Sequence, residues 1–315
     1  MKLPAAVPIP DDALAAIRKR FGLPRVGLQP FPHAGIINSV YVLGNDLVLR
    51  VPRNHPAHVA QAYREATTIP LAVAAGVQTP ALVAFDDALD ILPVPYLIVE
   101  RVPGVNYESL DRDPHRDPEV WGALGRDLAR LHAVVRPQSD ERGQPDYATA
   151  DDPRRLVEHR VEDGWLAPLE GGWLQRWLDR LEPLATRPVP PRLTHADVQM
   201  SNVLVDPDTP SYLALIDWGC AHWNDAAFDF LAMPLEAVPF MLAGHREVAP
   251  LDEDEAAEAR ILWRRIQLLL STLPRGAAKD LAWGERPVTW LVDLLRFFLE
   301  TTDERWKAIG PAERL

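Results

Sequence analysis

The stretch Leu193-Thr-His-Ala-Asp-Val-Gln-Met-Ser-Asn-Val-Leu-Val205, followed by Leu215-Ile-Asp-Trp-Gly219, holds the side chains best suited to chemistry. It spells His195-x-Asp197-x-x-x-x-Asn202 and then Asp217-Trp218-Gly219. Phosphoryl transfer needs a carboxylate that orients the acceptor hydroxyl, and further oxygen ligands for the Mg²⁺ that neutralises the phosphates. Asp197 fits the first role; Asn202 and Asp217 fit the second. His-x-Asp-x4-Asn alone arises by chance. With an apolar-Asp-aromatic-Gly fifteen residues later it is a strong signal.

Loops ending in short strands must hold these groups, because apolar residues bracket both parts. Upstream, residues 11–20 read as a short helix, with acids at its start and bases at its end. Val40–Leu43 and Leu47–Val51 flank Gly44-Asn45-Asp46 and predict a hairpin over 36–51. A helix over 57–75 follows, kinked or restarted at Pro70, and then strands over 81–85 and 96–101. After Pro103-Gly104 the period changes. Asp117-Pro118-Glu119 opens a helix whose apolar face is Val120, Leu124, Leu128, Leu131 and Val135. Helices are also expected over 173–182, 256–273 and 288–299. A small, mostly β part precedes a larger, mostly α part.

Length and composition agree. The 315 residues, 47% hydrophobic and 25% charged, make a globular chain of about two domains or two lobes. One cysteine, Cys220, excludes an internal disulfide and a cysteine zinc cluster, and reads as a small buried hydrophobe. There is no secretory pattern at Met1-Lys2-Leu3-Pro4 and no apolar run of membrane-spanning length, so a cytoplasmic protein without a membrane partner is expected. The net charge of −12 argues against a nucleic-acid partner. Residues 201–315 hold 19 acidic and 11 basic side chains, against 26 and 22 in residues 1–200. Solubility explains this, and a cationic ligand of the C-terminal part is the sharper alternative.

The motif residues resemble the aminoglycoside phosphotransferase family of small-molecule kinases, which shows His-Gly-Asp-x4-Asn and then Ile-Asp-Trp. Ala196 stands where that family has glycine, and the likeness runs from about Phe31 to Leu231. It implies an α+β, bilobal, protein-kinase-like fold. A small antiparallel-sheet lobe over 1–101 would bind nucleotide, and a mainly helical lobe over 102–315 would carry catalysis and the acceptor, with a hinge near 100–104. The cofactors implied are ATP or GTP and Mg²⁺. Asp197 corresponds to the catalytic aspartate, with Asn202 and Asp217 as metal ligands. His195 matches the motif as structural support, and Asp229 matches the acid that braces the catalytic loop.

The N-terminal part carries the same resemblance. Gly35-x-x-Asn38-x-x-Tyr41 matches the nucleotide loop. None of the four lysines, Lys2, Lys19, Lys279 and Lys307, lies in this lobe's sheet, so the phosphate-holding cation of the third strand would be Arg50. Arginine grips phosphate bidentately and keeps its charge. Glu65 is its expected ion-pair partner. The backbone of Glu100 and Val102, in the connector Tyr96–Gly104, would meet the adenine edge, while His132 reads as packing.

Two rivals are weaker. A protein kinase needs a longer segment than the eleven residues between Asp217 and Asp229, and no Ala-Pro-Glu follows. A kinase-shaped binding protein loses the aspartate, the metal ligands or the cation, and this chain keeps them all. The expected acceptor is a small hydroxylated molecule. An aminoglycoside-type antibiotic would be held by carboxylates such as Asp225 and Glu236. A macrolide would need an apolar cleft lined by tryptophans such as Trp218, Trp223 and Trp263. Homoserine, choline or a sugar are the metabolite alternatives.

Overall fold

The computed structural model describes residues 4–25, 27–31, 37–136, 152–276, 281 and 283–311. Gly35 of the expected nucleotide loop lies outside the described residues.

Helix α1 (Asp11–Phe21) carries Asp11 and Asp12 in its first turn and three bases in its last, and ends at Gly22 with φ +65°. Five strands follow: β1 (Leu28–Pro30), β2 (Asn38–Leu43), β3 (Leu47–Pro52), β4 (Leu82–Asp86) and β5 (Tyr96–Glu100). They form one antiparallel sheet in the order β1-β2-β3-β5-β4. The expected hairpin is β2–β3, with Val40 opposite Arg50. Between β3 and β4 runs α2 (Pro56–Ala74), capped by the His55 ring. It continues through Pro70 at the loss of one helical hydrogen bond.

The rest is mainly helical: α3 (Pro118–His132), α4 (Pro153–Glu162), α5 (Pro168–Ala185), α6 (Val238–Val248), α7 (Ala257–Thr272), α8 (Pro287–Glu300) and α9 (Glu304–Ile309). Proline stands in the first turn of α2, α3, α4, α5, α6 and α8, which accounts for part of the chain's proline excess. Five short strands build the loop platform: β6 (Val105–Asn106), β7 (Arg192–Thr194), β8 (Val203–Val205), β9 (Tyr212–Leu215) and β10 (His222–Asn224). They pair as β10-β7 and β6-β8-β9.

Two apolar cores underlie this division. Ile17, Leu49, Val51, Tyr96 and Ile98 form one between α1 and the sheet. The second, larger core gathers α3 to α9 and also takes Ile69 and Ala72 from α2 and Val99 from β5. The sheet is therefore anchored to the helical part by its own helix. One expectation fails locally. Val135 lies beyond the end of α3 and is exposed, so the apolar stripe stops at Leu131.

Helices α3 and α6 pack backbone to backbone. A Cβ on Gly125 would lie 2.0 Å from the Met241 carbonyl oxygen, and one on Gly244 would lie 2.0 Å from that of Gly122. Glycine inside a helix costs roughly 1 kcal/mol relative to alanine. Here it permits a contact that no other residue allows.

Candidate active site

Strand β7 runs into His195, and the segment to Asn202 leads into β8, which turns back through β9 to Asp217. The two loops are stitched together by the Ile216 N–H, which donates to the Asn202 carbonyl at 3.0 Å. His195 is fully buried, and its Nε2 lies 3.0 Å from the Ile216 carbonyl oxygen while its Nδ1 accepts from the Asp197 N–H at 3.3 Å. Burial pushes the His195 ring below its ordinary value, against the pull of Asp229 and Asp217. Such a ring, packed edge-on against Trp218, holds two loops together.

Asp229 is also fully buried and lies in a short 3₁₀ turn, Ala226–Phe230. It accepts from the backbone N–H of His195 at 3.0 Å and of Ala196 at 2.7 Å. Ala196 has φ +63° and Asp217 φ +72°, both in the left-handed region that favours glycine. The strained backbone at Ala196 is held by its bond to Asp229.

Asp197 is half-buried. Asn202 Nδ2 donates to its Oδ2 at 3.0 Å and to its carbonyl at 2.8 Å, and Gln199 Nε2 donates to its Oδ1 at 3.0 Å. Burial and the charge of Asp217 raise the Asp197 carboxyl to about 7, although the amides of Asn202 and Gln199 pull it down. Glu285, in the one-turn helix Trp283–Glu285, adds to the upward push.

From the sheet, Arg50 on β3 reaches Glu65 on α2 and the loop aspartate together. Its Nη2 lies 2.8 Å from Glu65 Oε1 and 2.9 Å from Asp217 Oδ1. Burial works against the Arg50 charge, but Glu65 and Asp217 outweigh it, so Arg50 stays protonated more firmly than usual. Asn38 Nδ2 donates to the same Glu65 oxygen at 3.4 Å. The expected Arg50–Glu65 pair is present, and Asp217 joins it.

Beneath the sheet lies a cavity of about 500 Å³, lined by Val40, Val48 and Val99 above and Leu204, Ile216 and Trp218 below. Arg50 and Asp217 stand at one part of its wall, and Glu100 to Val102 at another. The Glu100 N–H donates to the Ala81 carbonyl and its side chain accepts from the Ala81 N–H. The Val102 carbonyl accepts from the Gly104 N–H, so its N–H is what it can offer.

The two acceptor carboxylates are not brought together. Glu236 lines a second cavity of about 620 Å³ beside Met200 and is held by Arg296, with Arg296 Nε at 2.6 Å. Asp225 does not line it; it caps the turn at Ala227 and pairs with buried Arg260 at 3.0 Å. Trp218, Trp223 and Trp263 are core residues at 1%, 3% and 5% exposure, although Trp218 also floors the first cavity. Cys220 is only partly buried.

Gln199, Glu285 and Thr79, which accepts from the Trp218 indole at 2.8 Å, escaped sequence reasoning. Gln199 had a signal, since it stands inside the motif; the other two come from distant segments.

The model of the phosphotransferase enzyme family matches residues 28–269. The chain belongs to this family. The solved structures it resembles have the same kinase-like fold. The GDP complex of aminoglycoside 2'-phosphotransferase-IIIa superposes with a TM-score of 0.64 at 20% identity, covering 91% of this chain and 99% of that one. Spectinomycin phosphotransferase in complex with ADP and spectinomycin gives 0.56 at 14% identity, covering 95% and 96%. Mouse (Mus musculus) acyl-CoA dehydrogenase family member 10 is 27% identical over 258 residues. That stretch is 76% of this chain and only 24% of the mouse protein, so the chain spans about a quarter of that relative. No described helix is long and apolar enough to cross a membrane.

Proposed function

We propose that this phosphotransferase moves the γ-phosphoryl group of ATP or GTP to a hydroxyl of a small molecule, in the cytoplasm and with Mg²⁺. The observation that carries the reading is the meeting of Arg50, Glu65 and Asp217 within 3 Å contacts beside a carboxylate, Asp197, raised to about 7. Residues 1–101 form the nucleotide lobe in this reading and residues 102–315 the catalytic and acceptor lobe, with the hinge at 100–104. The base lies between the aliphatic walls of the 500 Å³ cavity and meets the Glu100 carbonyl and the Val102 N–H. Arg50 holds the phosphates, oriented by Glu65, to which Asn38 at the start of β2 also donates.

The donor set suits Mg²⁺. Asn202 spends its amide N–H on Asp197 and so turns its oxygen to a cation, with the Asp217 carboxylate as the second ligand. Among the described residues no three His, Cys, Asp or Glu side chains form a cage of their own, as fits an ion that shares its shell with phosphates and water. Bound there, Mg²⁺ would neutralise charge on the phosphates. Asp197 orients the acceptor hydroxyl. As the new phosphorus–oxygen bond forms and the bond to the nucleoside diphosphate breaks, the hydroxyl proton passes to Asp197. His195 and Asp229 support the loop.

The acceptor lies in the 620 Å³ cavity, whose wall carries Glu108, Asp111, Asp113, Glu236 and Asp293 against Arg112, Arg286 and Arg296. The acidic excess favours an amine-bearing, hydroxylated acceptor of the aminoglycoside kind, and Glu236, not Asp225, is the carboxylate in reach. The pairing of Glu236 with Arg296 favours as a second reading a less cationic acceptor, a macrolide or a metabolite such as choline, homoserine or a sugar. A phosphate-transfer screen across aminoglycosides, macrolides and amino-alcohols, with ATP and GTP compared, tests both. For a polycation kcat/KM falls as salt rises, and a flat profile with a good substrate excludes that class.

A further inference from the structure

Behind the catalytic loop lie two buried imidazoles to which the reaction above gives no role. His132, at the end of α3, and His245, in α6, have ring centroids 5.2 Å apart. Their nitrogens form a chain of close contacts. His245 Nδ1 lies 2.8 Å from the Ala249 carbonyl oxygen, His245 Nε2 lies 3.0 Å from His132 Nδ1, and His132 Nε2 lies 3.0 Å from Asp229 Oδ2. The two ends of this chain, a carbonyl and a carboxylate oxygen, only accept. Each of the three gaps therefore needs a proton from an imidazole.

The count requires one imidazolium, and the position of Asp229 says which ring it is. The Ala249 carbonyl takes a proton from His245 Nδ1, whereas His132 alone faces a carboxylate, so the extra charge sits on His132 and His245 Nε2 is left bare to accept. His132 must then donate from Nδ1 to His245 and from Nε2 to Asp229. Two neutral imidazoles carry two protons, and the chain needs three. We propose that His245 is a positioning residue that holds His132 as an imidazolium, and that the buried His132–Asp229 ion pair so formed fixes the catalytic loop through the His195 and Ala196 N–H groups that Asp229 accepts.

Two neighbouring shifts agree with this count. Burial, and then the charge of His132, push His245 down to about 4, in line with a neutral ring there. Burial alone would raise Asp229, but the hydrogen bond and charge of His132, with His195 and the Ala196 N–H, bring it below the usual carboxylate range. The other charged groups near the chain are matched. Asp252, beyond α6, pairs with Arg192, and Asp254, beside His245, pairs with Arg246. The Phe230 ring lies against both imidazoles, which are buried. The glycine contact of α3 with α6 holds the two helices that carry the rings at backbone distance.

This inference rests on the phosphotransfer reading of the loop, but its first test does not. Long-range ¹H–¹⁵N spectra of the full chain with ¹⁵N-labelled histidine at pH 7 should show His132 protonated on both nitrogens and His245 as the Nδ1–H tautomer. A neutral His132 overturns the proposal whatever the enzyme does. The second test uses Mg²⁺-dependent hydrolysis of ATP as the probe. His245→Leu removes the acceptor and should lower kcat about tenfold with KM for ATP within about twofold, and should move the alkaline limb of kcat down by about one pH unit. His245→Gln, whose amide oxygen can accept from His132 Nδ1, should recover most of both. An unmoved limb in the leucine variant, or a glutamine variant no better than leucine, refutes the positioning role. If the leucine variant does not fold, the spectrum of the parent still decides. Asp197→Asn in the same assay reads the site itself: turnover that survives there refutes the phosphotransfer reading and leaves the proton count to the spectrum.

Discussion

Replacing Asp197 by asparagine should stabilise the metal-free protein while it abolishes phosphate transfer. The side chain keeps its shape and loses a charge that the folded state holds at a cost. Its carboxyl is raised from an ordinary 3.8 to about 7, by burial first and by Asp217 second. A carboxyl with a raised folded-state value binds its proton more tightly when folded. The stability it contributes is whole below about pH 4 and is lost as pH rises through about 7. Three units set a ceiling of about 4 kcal/mol at pH 8. One hydrogen bond from Asn202 or Gln199 is lost to the new amide, about 1 kcal/mol, and partial solvent access lowers the remainder, so a gain of about 2 kcal/mol is expected. For a chain of 315 residues that is a rise in Tm of about 3 °C. Thermal unfolding of parent and variant with a chelator, at pH 5 and at pH 8, measures it. The gain should be large at pH 8, nearly absent at pH 5, and smaller when saturating Mg²⁺ screens Asp217. A gain independent of pH, or none at pH 8, refutes the account of this site as a strained pair of carboxylates.

Three further outcomes follow from the geometry. Arg50→Ala leaves Glu65, at 1% exposure, without its cation and should cost about 3–5 kcal/mol in urea unfolding, with much of it recovered by adding Glu65→Gln. Asp217→Asn should weaken Mg²⁺-nucleotide binding at least tenfold by calorimetry and Asn202→Ala less; metal-independent affinity in the parent would sink the ligand assignment. Gly125→Ala drives a Cβ to 2.0 Å from the Met241 carbonyl and should cost several kcal/mol, whereas Gly172→Ala on α5, which meets only the tip of Arg176, should raise stability by about 0.5–1 kcal/mol.

The parts of the fold that sequence reveals are those with a sustained period. The β2–β3 hairpin, α2, α3, α7 and α8 each carry enough alternating or helical repeats to be read directly. Helix α4 buries only Pro153, Leu156 and Val157, and β7 to β10 are three or four residues long, so neither leaves a pattern. Helix α6 is hidden by Gly244, a poor helix former that only the crossing with α3 explains. At the site, Asp197, Asn202 and Asp217 are legible because one short motif spaces them, and Arg50 because its strand holds no lysine. The pairing of Asp225 and Glu236 with Arg260 and Arg296 is invisible in sequence, since the partners stand 35 and 60 residues away. Charge balance over a long segment reports ionisable groups without saying which have already found each other.

The bridge from Arg50 to Asp217 makes the two halves of the molecule competitors for incoming ligands. On the proposed reading, a polyphosphate that takes the guanidinium competes with the Asp217 carboxylate for it, and a cation that takes the carboxylate competes with the guanidinium. Each ligand arriving alone works against the bridge; each arriving second finds its partner already released. The binding of anion and cation is thereby coupled by the free energy of one internal salt bridge, and the coupling is the same read from either side. On the proposed reading, preference for metal-bound over free nucleotide would then arise within the resting protein, from this bridge.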